Sequence, residues 1–398
     1  MATRPTVLSA PSADSRRRAG AEIGEYLRQL DYLLLAAVAG LVAYGLWIVQ
    51  TVTRDDVPGD PGYYVLRQAI FVVVGVAAFA ATTAINPELY RRYRHVLYGV
   101  VLTLMVIVFV VGPSVRGSRR WIDLGSFQLQ PSELGKFVMI VFIAGFLANR
   151  VKQLSTPGTV LGAVALSVLP IILVFLEPDF GTALVYCVAL VGCLYFSGVR
   201  WPWLAGLGAL AAGVGVAALW ALPAAGIEVL KPYQVDRLVG FVHPDADPSG
   251  TTYNINQAIT AVGAGGLDGR GVAGATQTRL NYLPEHSTDF IFASLSEQRG
   301  FLGVAILLLL YAIVVWRGIK VVAVAHSLFT ATVAGAIVAA LLFQVFLNVG
   351  MNIGIAPITG IPLPFVSYGG SSLITSLAMI GVLQAIHARG RLGSRPRW

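Results

Sequence analysis

Asp289 stands where a polar stretch gives way to an apolar one. In the run L-P-E-H-S-T-D-F-I-F (Leu283 to Phe292), Phe290, Ile291 and Phe292 follow it directly, with Glu285 and His286 just before. A carboxylate at such a seam is partly desolvated, which raises its basicity and suits it to general-base work. The competing reading is a helix cap. A second group lies in 113–136, where Arg119, Arg120 and Trp121 precede Pro131, Glu133 and Lys136. Pro131 fits the first turn of a helix, and Glu133 and Lys136 share a helix face. Arg119, Arg120 and Lys136 around a helix start would draw a phosphate group. The alternative is a structural Glu–Lys pair with snorkelling arginines.

Two further segments add polar groups. In L-E-P-D-F-G-T, Glu177 and Asp179 are either acidic partners for those cations or turn residues around Pro178. Segment 348–372 holds three prolines and five glycines and cannot form a continuous helix. Irregular backbone at membrane depth survives only inside protein or along a wet cavity. Its last part, Ser367 to Ser372 with Tyr368, opens a helix with free backbone N–H groups that favour anions; close helix packing through glycine explains it equally.

Composition fixes what must hold these residues. Of 398 residues, 56% are hydrophobic and 12% charged, about half the charge of an ordinary soluble domain. The class is an all-α integral membrane protein with about ten transmembrane helices. Apolar runs at about 32–50, 68–86, 96–112, 135–148, 159–176, 180–197, 203–223, 299–316, 323–348 and 371–388 supply the spans. The net charge of +8 comes from cations scattered through short loops, which excludes a nucleic-acid footprint. Cys187 and Cys193 fall in one apolar run on different sides of a helix, so no disulfide joins them.

The first run follows a polar, basic stretch (Arg16 to Arg18) and lacks a small-residue cleavage site after it, so an uncleaved first helix is expected. The Lys/Arg bias of the short loops places both termini in the cytoplasm. The organisation is then a cytoplasmic basic tail (1–31), a ten-helix membrane domain (32–388) and a second cytoplasmic basic tail (389–398). The outside segments are 51–67, 113–134, 177–179, the large extracytoplasmic loop 224–298 between spans seven and eight, and 349–370. Chemistry is expected on that external face. The long loop carries Y-Q-V-D-R-L-V-G-F (Tyr233 to Phe241), H-P-D-A-D-P-S-G (His243 to Gly250), an amphipathic stretch from Tyr253 to Val262 and a glycine cluster from Gly263 to Gly274.

The motifs R-W-I-D-L-G with Q-P-S-E-L-G-K, E-P-D-F-G-T, G-A-G-G-L-D-G-R-G with L-P-E-H-S-T-D-F-I-F, and P-L-P-F-V-S-Y-G-G-S-S resemble, in order and spacing, those of the SEDS family of cell-wall polymerases. The run D-P-S-G-T-T-Y-N-I-N-Q is similar to the RodA branch more than to the FtsW branch. The resemblance implies a peptidoglycan glycosyltransferase that polymerises lipid II in the bacterial cell membrane. It implies Asp289 as the essential carboxylate, and Arg120, Trp121, Glu133 and Lys136 as matched family positions. Asp179, Glu285, His286, Ser367 and Tyr368 are expected in support. A class B penicillin-binding protein transpeptidase is the implied partner, beside membrane lipids. No cofactor is certain; a divalent cation, Mg or Mn, could share the charge, though no metal-ligand spacing is visible.

Three positions depart from the family pattern. Glu177 stands where Gln is usual, Ser287 separates His286 from Thr288, and Glu297-Gln298-Arg299 stands where Glu-Glu before Gly is usual. A lipid-precursor flippase or transporter is the rival function, since broken helices and intramembrane Glu133, Lys136 and Asp179 would suit it; a non-catalytic scaffold for wall synthesis is the third. Against transport, the halves show no inverted repeat and the polar residues gather at one membrane face.

Overall fold

The computed structural model describes residues 24–113, 119–123, 125, 127–217, 222–224 and 252–393. Arg16 to Arg18, the loop runs Tyr233 to Phe241 and His243 to Gly250, and the last five residues lie outside the described residues. Eight helices are long and apolar enough to cross a membrane, and two shorter apolar ones join them. In chain order they are α1 (Tyr32–Val52), α2 (Tyr63–Ala84), α3 (Pro87–Val111), α4 (Pro131–Ala148), α5 (Pro157–Leu176), α6 (Phe180–Phe196) and α7 (Trp201–Val216). The amphipathic α8 (Tyr253–Gly265) is not a span, and α9 (Ile291–Val324), α10 (Leu328–Asn352) and α11 (Gly370–Gly393) complete the set.

Helix starts follow local chemistry. Asp31 caps α1 by accepting from Leu34 N at 3.1 Å, Asn86 caps α3 ahead of Pro87, and Ser327 with Thr330 forms a capping box at α10. Several boundaries differ from the apolar runs. α2 begins at Tyr63 rather than near 68, and α3 at Pro87 rather than near 96, because Arg67, Gln68, Arg91, Arg92 and Arg94 ride within helices. α9 starts at Ile291, so 291–298 is helix and not loop, and α10 starts at Leu328 rather than near 323. A two-strand hairpin, β1 (Ile122–Asp123) and β2 (Gln128–Leu129), pairs Ile122 with Leu129 ahead of α4, a feature hydropathy does not reveal.

α4 and α11 are the innermost helices, with Met139, Ile140, Ile143, Met379, Ile380 and Leu383 fully buried. α11 packs mainly on α2, α10 on α6, α3 on α4, and α1 and α8 on α9. Among the described residues, α7 touches little besides α6 and buries none of its own. At the end holding the start of α1, Asp31 grips Arg317 at 2.5 Å and exchanges backbone hydrogen bonds with the Gln384 amide.

α9 is broken at Gly300, whose φ of 61° is open to glycine and strained for other residues. The amides freed there are not wasted: Phe301 N donates to Gly266 O at 2.9 Å and Leu302 N to Leu267 O at 3.2 Å. The stretch after α8 is thereby stitched to the break.

Candidate active site

Because the helices alternate in direction, the ends of α1, α3, α5 and α10 meet the starts of α2, α4, α6, α9 and α11 at one end of the bundle. That end gathers the chemistry in two polar groups.

The first surrounds Asp289, half-buried in the turn that leads into α9. Glu285, with φ +55°, bends this turn, and its carbonyl accepts from both Thr288 N and Phe290 N at 3.1 Å. Its carboxylate accepts from Thr288 Oγ1 at 3.1 Å. The entry to α11 holds the turn from outside. Ser367 Oγ donates to Thr288 O at 2.6 Å, and Tyr368 N donates to Ser287 O at 2.9 Å. Buried Gln68 of α2 fixes that entry, donating to Ser367 O at 3.1 Å and accepting from Gly369 N at 3.2 Å. The carbonyl of Asp289 is taken by Asn348 and Asn352 of α10, at 2.9 and 3.1 Å. Its carboxylate points at Gly360, where a Cβ would lie 3.5 Å from Oδ2.

His286 anchors the turn to the α1–α2 loop, its Nε2 lying 3.0 Å from Asp56 Oδ2 and its Nδ1 3.1 Å from Leu283 O. Burial pulls the imidazole pKa down, but the bond and charge of Asp56, with Leu283 O and Glu285, outweigh it and the net shift is upward.

The second group centres on Arg120. Its Nε donates to Glu177 O at 2.9 Å, one Nη donates to Pro178 O, and the other lies 3.7 Å from Asp179 Oδ2. Asp179 caps α6 through Thr182 N at 3.1 Å and accepts from Gln130 Nε2 at 3.1 Å. Of its two sequence readings, acidic partner and turn residue, it fills both. Lys136 and Glu133 pair at 2.9 Å with both side chains buried. Nearby, the buried Tyr186 hydroxyl donates to Ser132 O at 2.7 Å. Glu177 is fully buried, and neither carboxylate oxygen finds a hydrogen-bond partner among the described residues. Burial and then the Asp179 charge push its pKa up to about 8, against the pull of Arg120.

The segment 353–371 joins the two groups. Gly360 faces Asp289, while a Cβ on Gly181 of α6 would press into Thr359 O and Ile361. Ser371 accepts from Gln130 N at 3.0 Å and donates to Gln128 O at 2.8 Å. Two expected residues stand apart: Arg119 is exposed, donating to Phe109 O at 3.0 Å, and Trp121 is half-buried with its backbone against Gly112. Sequence reasoning missed Asn348, Asn352, Gln68, Gln130, Asp56 and Tyr186. Asn348 and Asn352 did carry a signal, as two amides four apart in an otherwise apolar span.

A multi-span membrane bundle whose broken helices enclose a polar cluster at one end defines the class of the molecule. The family of cell cycle proteins FtsW, RodA and SpoVE matches residues 28–392, and the chain belongs to it. It is 33% identical over 366 residues to the peptidoglycan glycosyltransferase MrdB of Escherichia coli K12, covering 92% of this chain and 95% of that one. It is 34% identical to the stage V sporulation protein E of Bacillus subtilis, covering 89% and 95%. Among solved structures it resembles a chain of a peptidoglycan synthase complex that coordinates polymerization and crosslinking, with TM-score 0.76 and 29% identity, covering 91% and 98%. It also resembles the rod shape determining protein RodA of Thermus thermophilus, with TM-score 0.65 and 26% identity, covering 92% and 98%.

Proposed function

We propose that this membrane protein polymerises lipid II into glycan strands during cell elongation, on the extracytoplasmic face, with Asp289 as general base and both termini in the cytoplasm. The chain is a peptidoglycan glycosyltransferase. The donor sugar is α-linked to a polyprenyl pyrophosphate and the new bond is β, so one direct displacement inverts the anomeric carbon. The acceptor 4-hydroxyl attacks as Asp289 takes its proton, and the pyrophosphate leaves with the bonding electrons.

Cations of the second group are the candidates for that developing charge. Among the described residues, one edge of Arg120 is held only by the long 3.7 Å contact to Asp179, so that edge is the most easily turned toward a phosphate. Lys136 would have to exchange Glu133 for the pyrophosphate, and Arg119 would act from the rim. Among the described residues no three His, Cys, Asp or Glu side chains gather to hold a metal ion. A Mg or Mn ion, if bound, would supply positive charge for the departing pyrophosphate alongside these cations.

The partner we assign is a class B penicillin-binding protein, because the resembling solved chain belongs to a complex that both polymerises and crosslinks. The observation that carries the catalytic reading is the placement of Asp289, half-buried on a turn tied by Ser367, Tyr368 and two asparagines. Asp289→Asn keeps the shape and removes the basicity. Gel detection of glycan polymer from purified protein and its partner is expected to show none from this variant. Wild-type polymer from it would end the base assignment.

A further inference from the structure

Helix α9 begins one residue later than its own ladder allows. In a continued helix the carbonyl of Asp289 would accept from Ala293 N, four residues on. Here Ala293 N donates to Asn352 Oδ1 at 3.0 Å, while Asn352 Nδ2 donates to Asp289 O at 3.1 Å. One side-chain amide thus occupies both halves of the missing bond. Asn348 reinforces it, with Nδ2 donating to Asp289 O at 2.9 Å and to Ile361 O at 2.8 Å, so the Asp289 turn and the segment beside Gly360 share one clamp. Both asparagines are fully buried, and Asn348 Oδ1 has no hydrogen-bond partner among the described residues. A buried acceptor left unused costs folding free energy, so the amide is held in place for its donors rather than for packing.

We propose that Asn352, assisted by Asn348, is a positioning residue that keeps Asp289 outside α9 and its carboxylate turned toward Gly360. This rests on the reading of Asp289 as base. Without the Asn352 amide, Ala293 N loses its acceptor and Asp289 O keeps only the Asn348 donor, so the two backbone groups pair with each other and the helix extends back to Asp289. The carboxylate then turns away from the segment it now faces.

The test separates position from basicity. In a full-length chain carrying Cys187→Ala and Cys193→Ala, Asp289→Cys provides a thiol whose reaction with a membrane-impermeant maleimide reads placement alone. Asn352→Leu is expected to slow that labelling about ten-fold or more, and Asn352→Asp, which keeps an acceptor for Ala293 but loses the donors, to slow it less. In the chain with Asp289 intact, Asn352→Leu is expected to lower kcat on lipid II about 100-fold with KM within about two-fold. Labelling at the parental rate in both variants overturns the positioning role, whatever polymerisation does. Slowed labelling with an unchanged kcat confirms the clamp and overturns Asp289 as the base.

Discussion

Lys136 Nζ and Glu133 Oε2 face one another at 2.9 Å with both side chains sealed from solvent. Such a pair contributes little net stability, but half of it left alone is a stranded charge. Lys136→Met is expected to destabilise the fold by about 3–5 kcal/mol. Adding Glu133→Gln should restore most of that loss without restoring polymer. Thermal unfolding in detergent reads the first effect and a glycan gel the second.

Gly360 sits at φ +70° with Asp289 Oδ2 beside it. Gly360→Ala strains the backbone and places a methyl 3.5 Å from the carboxylate. The expected result is a folded enzyme, destabilised by about 1 kcal/mol, whose kcat falls more than its KM rises. Steady-state kinetics on lipid II measure this.

Glu177 gives a pH signature. Its carboxyl moves from an ordinary value of 4.5 to about 8, so across that window the folded state binds a proton the unfolded chain lacks. Stability therefore falls as pH rises through this window, and is free of the penalty below it. Above about pH 8 the new anion competes with Asp179 for Arg120 and, on the proposed mechanism, with the pyrophosphate. Polymerisation should decline on that alkaline side, and Glu177→Gln should flatten both trends.

The His286–Asp56 tie shifts stability in the same direction, by losing a favourable pair rather than by gaining a penalty. A folded imidazole pKa above 6.5 contributes stability that is complete below that value and lost as pH rises through the folded pKa. Hydrogen exchange in residues 53–62 is expected to quicken across that rise, and Asp56→Asn should abolish the dependence.

Much of this architecture is legible as sequence. Ten apolar runs mark the spans, and the polar-to-apolar seam marks Asp289. The i,i+3 spacing of Glu133 and Lys136 marks their pair. The errors have one cause: hydropathy treats every polar residue as wet. Ser294, Ser296, Glu297 and Gln298 read as loop, yet they are buried inside α9 because Glu297 accepts from Gln277 N, Thr278 N and Thr278 Oγ1. Arg91 and Arg94 delayed the predicted start of α3 for the same reason. Asn348 and Asn352 escaped because their meaning lies in a partner turn some sixty residues away in the chain.

The break at Gly300 has a mechanical consequence. The short N-terminal piece of α9 answers to α10 and to the loop stitched at Gly266 and Leu267, while the long piece from Phe301 is the apolar stretch that crosses the membrane. A change of bilayer thickness tilts the long piece, and the joint absorbs the swing before it reaches Asp289. Turnover in vesicles of differing acyl-chain length should hence stay level, and Gly300→Ala, whose Cβ would collide with Leu267 O and Gly269 N and push the stitched loop off the break, should make it rise and fall with the membrane.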